Sequence, residues 1–257
     1  MQILGGTKGM NVDASDQSTD CAPLAALFYA PDGVPSLASI RSALSPALRF
    51  SISNAPDESE GWVELLREGL TFDLRGLAGG PPCAFPNIGG SLGIGEAEVR
   101  ALTPLLLAPG PHLAGAGRLL PVIRGAVGLL VDLARISGAA AISWLPSRSA
   151  LAPALFERAV QPWLDGGPFP ALALTALHRE DGGGVRSEGL KFLMGQEFLL
   201  EPKPSSTGDH TLRVAVRLVD WLVAHGPVTA PVEAILAGTG AVLLEAPEWD
   251  RIVARCC

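Results

Sequence analysis

The chain is poor in the residues that most directly mark a chemistry. Its 257 residues include 3 Lys against 16 Arg, 4 His, 4 Cys and a single Tyr. Only 18% of positions are charged and the net charge is −7. That balance argues against nucleic-acid binding, which calls for a basic stripe to neutralise phosphates. Cys21, Cys83, Cys256 and Cys257 form no Cys-x-x-Cys pair and no evenly spaced framework. Neither a zinc site nor a disulfide scaffold is expected, and a reducing, cytoplasmic compartment suits such cysteines. His112, His178, His210 and His225 stand apart from one another, so no metal is expected either.

Several longer patterns are missing as well. There is no Gly-x-Ser-x-Gly nucleophile elbow and no basic-then-apolar leader of the secretory type. The most apolar stretch, Leu119 to Ala134, is interrupted by Pro121, Arg124 and Asp132. It falls short of the roughly 20 clean residues that cross a bilayer, so it reads as a buried core helix and no membrane association is expected. Gly89 to Gly95 is glycine-rich, but it lacks the Gly-Lys-Ser/Thr ending of a phosphate loop. Glu96 would also stand where a phosphate belongs. No cofactor is expected from any of these segments.

What remains is ample apolar material. Apolar residues make up 48% of the chain and the mean hydropathy is +0.32, which excludes a disordered protein. A chain of this length buries roughly 70–75% of its unfolded surface without help from disulfides or metals. The Gly-, Ser- and Asp-rich residues 1–20 are expected to form a mobile tail, and 21–257 a single α+β domain. Seven Gly and Pro residues between Gly79 and Gly90 place a possible lobe boundary near 78–95.

Periodicity gives the elements. Leu24 to Tyr29 reads as a strand stopped by Pro31, Asp32 and Gly33. Ser36 then caps a helix carrying Leu37, Ile40 and Leu44. Leu48 to Ile52 and Leu70 to Leu74 read as strands, while Trp62 to Leu66 fits either period. A helix starts near Gly95, and a long one runs from Leu119 to Ile136 with Gly138 as its stop. Ala139 to Leu145 reads as a buried central strand, 149–163 as helix, 169–177 as strand and Arg179 to Gly184 as a polar turn. Phe198 to Leu200 ends a strand. Asp209 caps a helix with Leu212, Val216, Val219 and Val223 on one side, and Gly226 and Pro227 stop it. Ala241 to Leu244 reads as a last strand. Together these predict an α+β fold, a mixed sheet with helices mainly on one face, possible as two ferredoxin-like lobes opening at 24–52 and 139–177. An echo between 41–48 and 148–155, matching at seven of eight positions, raises an internal duplication. Both copies are built from the chain's commonest residues.

Two segments offer a candidate site. Trp144, Ser147 and Arg148 stand at the end of the central strand, where open sheets place binding residues. Ser187 to Glu197 contains Lys191 and Glu197, with Gly189 and Gly195 marking tight backbone. Each segment has a purely structural reading beside the functional one, as a packed Trp and as a turn. His178 with Glu180 and Asp181 is a further local acid–base cluster.

These two segments also carry a family resemblance. A strand ending Trp-x-Pro, then a helix, a strand, a polar turn and Gly-Leu-x-x-x-x-Gly-x-Glu resembles the bacterial domain-of-unknown-function family numbered 4261. The similarity extends over the element order from Leu24 to about Leu244. Met194 stands where the family pattern has its second Gly, which comes one residue later at Gly195. The resemblance implies a fold and a bacterial setting with secretion or toxin–immunity neighbours, and it implies no reaction.

The leading expectation is a non-enzymatic, protein-binding factor of the immunity or adaptor type, whose acidic surface suits a basic protein partner. The alternative is a small-molecule-binding enzyme with a pocket around Trp144, Ser147, Arg148, Lys191 and Glu197.

Overall fold

A computed structural model of the protein describes residues 22–203 and 208–257; the expected tail at 1–20 lies outside them. Leu24 to Tyr29 is apolar at every position, which suits a strand covered on both faces. It forms β1 (Ala25–Tyr29), buried throughout. With β2 (Ser51–Asn54), β3 (Trp62–Arg67), β4 (Leu70–Arg75), β5 (Gly90–Leu92), β6 (Thr103–Pro109), β7 (Ala141–Trp144) and β8 (Ser149–Leu151) it builds an eight-stranded sheet. The order is β2-β3-β4-β6-β1-β7-β8-β5. Every pairing is antiparallel except β5 with β8.

One face of this sheet packs on α1 (Leu37–Ala43), α3 (Leu120–Ser137) and α4 (Pro153–Leu164), while α2 (Glu96–Arg100) belongs to the segment covering the other face. Ser36 caps α1 as its position predicts, accepting a hydrogen bond from Ser39 N at 3.1 Å. Gly138 closes α3 in the left-handed conformation with φ 70°. On the covered face Phe85 meets Phe28 at 5.5 Å between ring centroids, and Ile88, Ile94 and Val99 pack over Ala26, Ala141 and Ala150.

A second, six-stranded sheet has the order β12-β13-β14-β11-β10-β9. It comprises β9 (Ala176–Arg179), β10 (Val185–Glu188), β11 (Glu197–Glu201), β12 (Val232–Leu236), β13 (Gly240–Glu248) and β14 (Arg251–Cys256). Only β11 and β14 run parallel. Val185, Phe198, Leu200, Ile252 and Ala254 point inward to join α5 (Ala171–Leu174), α6 (Leu190–Met194) and α7 (Gly208–His225). Alternation puts Arg186, Leu199, Val253 and Arg255 on the outer face. The helix sides of both sheets share one continuous apolar core. The protein is therefore an α+β molecule with two mixed sheets.

Several expectations are corrected. The ferredoxin-like lobes do not form: β1 and β2 are separated by β6, β4 and β3, and β7 and β9 belong to different sheets. The step from one sheet to the next falls at 152–175, while 78–95 crosses the first sheet and supplies its edge strand β5. Over 149–163 the chain first forms β8, because Arg148 at φ 52° turns it back along β7. Pro153 then opens α4 at the position where its missing N–H costs nothing. Over 169–177 the good helix formers Ala171 to Leu174 make one turn, α5, before Thr175 returns the chain to extended form. Helix α7 buries Val214, Ala215, Leu218, Val219 and Leu222, so its inward face is rotated from the predicted one. Asp209 lies inside its first turn. The two echo segments adopt different structures, the end of α1 with a turn against β8 with the start of α4, so they are not copies of one unit.

No helix among the described residues is long and apolar enough to cross a membrane.

Candidate functional site

The segment 187–197 folds around its own carboxylate. Gly189, at φ 97°, turns the chain from β10 into the single turn of α6, and Gly195, at φ 87°, turns it out into β11. That brings Glu197 back beneath the start of α6. Its Oε1 accepts hydrogen bonds from Gly189 N (2.8 Å) and Lys191 N (2.9 Å), and its Oε2 from Ser187 Oγ (2.5 Å) and Leu190 N (3.3 Å). A carboxylate at the N-terminal end of a helical turn satisfies its orphan N–H groups and complements its partial positive charge. The spacing Gly-Leu-x-x-x-x-Gly-x-Glu is thus a self-capping clip. The adjacent Gln196, buried, ties the clip to its surroundings: its Nε2 donates to Val228 O (3.0 Å) and Trp249 O (3.1 Å), and its Oε1 accepts from Val228 N (2.8 Å).

The clip rests on the Trp144–Arg148 segment, so both stretches singled out in the sequence meet in space. A Cβ on Gly189 would lie 2.8 Å from Ser147 Cα. Trp144 is fully buried, with Phe192 of α6 edge-on at 5.9 Å. Ser147 is also buried and its Oγ donates to Trp144 O at 2.8 Å. Arg148 reaches Glu188 Oε1 at 3.1 Å and Asn87 Oδ1 at 2.9 Å. The second oxygen of Glu188 meets His178 Nε2 at 2.9 Å. His178 therefore pairs across the hairpin with Glu188, while its sequence neighbour Glu180 holds Arg186 at 3.2 Å.

Beside this junction lies a cleft of about 920 Å³. Its apolar walls include Leu24 just before β1, Pro109 at the end of β6 and Leu113 after it, Leu145 and Pro146 after β7, and Phe192 of α6. Four charged residues reach it, Arg118, Glu188, Lys191 and Glu197. Of the five expected site residues, Lys191 and Glu197 line the cleft. Arg148 stands behind Glu188, and Trp144 and Ser147 support the floor from within. Lys191 Nζ lies 2.6 Å from Asp250 Oδ2 and 4.9 Å from the centroid of the exposed Trp249 ring. That pairing holds the Asp250 carboxyl below its ordinary pKa, mainly through the hydrogen bond from Lys191.

Sequence reading missed β6 and the loop that follows it, which supply Pro109, Leu113 and Arg118. The signal was present: Leu105 to Ala108 is a continuous apolar run of strand length, followed by Gly110, Pro111, Gly115 and Gly117. Among the described residues no three His, Cys, Asp or Glu side chains converge as a metal site would require. One group of acidic residues, Asp57, Glu58, Glu60 and Glu64, lies around the turn into β3 and along that strand, outside the cleft.

No protein-family model, curated protein or solved structure matches the chain.

Proposed function

We propose that the protein is a non-enzymatic binding factor of the adaptor or immunity type, acting in the bacterial cytoplasm, which seats a segment of a protein partner in the cleft between its two sheets. The observation that carries this reading is how the cleft's polar groups are used. Both oxygens of Glu188 and both of Glu197 are committed to Arg148, His178 and the clip, leaving an apolar wall of Leu24, Leu113, Leu145 and Phe192 as the recognition surface. Concave apolar sites with a few fixed polar groups are the usual form of a binding site.

The enzyme alternative is the weaker reading. Trp144 and Ser147 are buried in packing and in a backbone hydrogen bond, and Glu197 already accepts four hydrogen bonds, so none of the three offers a free acid, base or nucleophile to the cleft. The free thiols of Cys83, Cys256 and Cys257 suit a reducing compartment. The resemblance to the family numbered 4261 adds the bacterial setting. A net charge of −7 favours encounter with a partner of net positive charge; what enters the cleft is decided by its local chemistry.

Selection of a displayed random peptide library on the wild-type protein and on Phe192→Ala and Leu113→Ala variants tests this. Sequences enriched on the wild type and lost on both folded variants support the reading. Failure to enrich any sequence, or enrichment indifferent to both substitutions, contradicts it.

A further inference from the structure

Among the charged side chains at the cleft, three are already engaged. Glu188 is shared between Arg148 and His178, Glu197 is held by the clip, and Lys191 is paired with Asp250. Arg118 differs. It is exposed on the cleft wall, has no hydrogen bond or ion pair with any described residue, and holds its guanidinium 5.7 Å from the centroid of the Phe192 ring. Phe192 is in turn braced edge-on by the fully buried Trp144. A guanidinium over an aromatic face is attracted by the ring's quadrupole, and its N–H donors remain open for a carboxylate.

We infer that the cleft recognises an extended apolar peptide segment carrying an Asp or Glu side chain, with that carboxylate paired to Arg118 while its apolar neighbours cover Phe192 and Leu113. The inference rests on the binding reading above and names the chemistry of the occupant. Charge complementarity selects an acidic segment over a basic one: the two carboxylates lining the cleft have their oxygens committed, Glu188 to Arg148 and His178 and Glu197 to the clip's donors, and of the two cations lining it Lys191 is paired with Asp250 while Arg118 has no ion pair with a described residue. An arginine fork accepts a carboxylate through two parallel hydrogen bonds, which adds orientation to attraction. A basic segment would meet that cation, and the carboxylates beside it already have their acceptor positions filled.

The test uses two C-terminally amidated synthetic peptide libraries, identical except for one fixed position that is Glu in the first and Gln in the second. Amidation removes the terminal carboxylate, so only the side chain is read. Binding is followed by fluorescence polarisation on wild-type protein, Arg118→Gln and Phe192→Ala, with thermal melts to confirm folding. The wild type should hold the Glu library about five- to tenfold more tightly than the Gln library. Arg118→Gln, an exposed change, should erase that difference while both libraries still bind through Phe192. Equal binding of both libraries, weakened by Phe192→Ala but not by Arg118→Gln, overturns the inference while leaving the cleft as a binding site. Absence of any binding sensitive to Phe192 overturns both.

Discussion

Gly189 lies against the backbone of Ser147 so closely that a Cβ on it would stand 2.8 Å from Ser147 Cα and 2.9 Å from its N. This contact joins the second sheet to the end of the first sheet's β7, and it places the Glu197 clip beside the cleft. It also explains why the residue is glycine on two counts, the space and a φ of 97°. Gly189→Ala should therefore lower stability by about 3 kcal/mol, combining backbone strain with an overpacked contact. Urea unfolding measures it, and a loss below about 1 kcal/mol would mean the two segments separate easily.

Glu197 holds the clip closed. Replacing it with Ala leaves Gly189 N, Lys191 N and Ser187 Oγ without their acceptor, and the cost should be about 2–3 kcal/mol. Hydrogen exchange gives the local readout: the Gly189 and Lys191 amides should exchange much faster in Glu197→Ala, while amides in α3 change only as far as global stability requires. Unchanged protection at Gly189 and Lys191 would show that the carboxylate is incidental to the turn.

Inside the first sheet, Arg67 crosses α3 at Gly128 to reach Asp132 Oδ2 at 2.5 Å, with both side chains largely buried. A Cβ on Gly128 would meet the guanidinium Nη2 at 2.6 Å. Asp132→Ala strands a buried cation and should cost about 3–5 kcal/mol, whereas the paired change Arg67→Met with Asp132→Leu should recover most of that loss. Gly128→Ala should destabilise although Ala is the better helix former. Chemical denaturation of the four proteins decides the point; equal costs for the single and paired changes would contradict the account.

Tyr29 gives a pH dependence. Burial pushes its phenol up to about 12 from 10.0, partly offset by the hydrogen bond to Ser137 Oγ at 2.7 Å. The folded pKa lies above the unfolded one, so its contribution is complete below pH 10 and is lost as the pH rises towards 12. A difference of that size corresponds to about 2–3 kcal/mol. In denaturation curves between pH 9 and 12, Tyr29→Phe should remove a loss of about this size from the alkaline limb. A variant losing stability as steeply as the wild type would place the alkaline sensitivity elsewhere.

Elements with a strong local signature were legible in the sequence. Ser36 before an apolar helical repeat, Gly138 after one, and the apolar run of β1 each specify their own conformation. The losses come where long-range pairing decides. Ser149 to Leu151 carries no signal against the following helix; it becomes a strand because Arg148 folds it onto β7 and β5 lies alongside. Arg251 to Arg255 has no alternation, its Ile252, Val253 and Ala254 running together, and its parallel partner β11 lies across α7, β12 and β13 in the chain. At the site, Gly189 and Gly195 marked a constrained turn correctly because backbone geometry is local. Whether Trp144 would face a cavity or a core depended on α6 arriving over it, which sequence spacing alone does not specify.

The proposed binding takes place in the cleft between the sheets, although the molecule exposes large apolar side chains elsewhere, among them Ile235 and Trp249, each 79% exposed. The most direct measurement is chemical-shift mapping by NMR of a library-selected peptide titrated into isotope-labelled protein. Binding in the cleft gives saturable shifts centred on Leu24, Leu113, Arg118 and Phe192, abolished by Phe192→Ala in a protein that still folds. Shifts centred on Ile235 and Trp249, with the cleft residues unmoved, would contradict it.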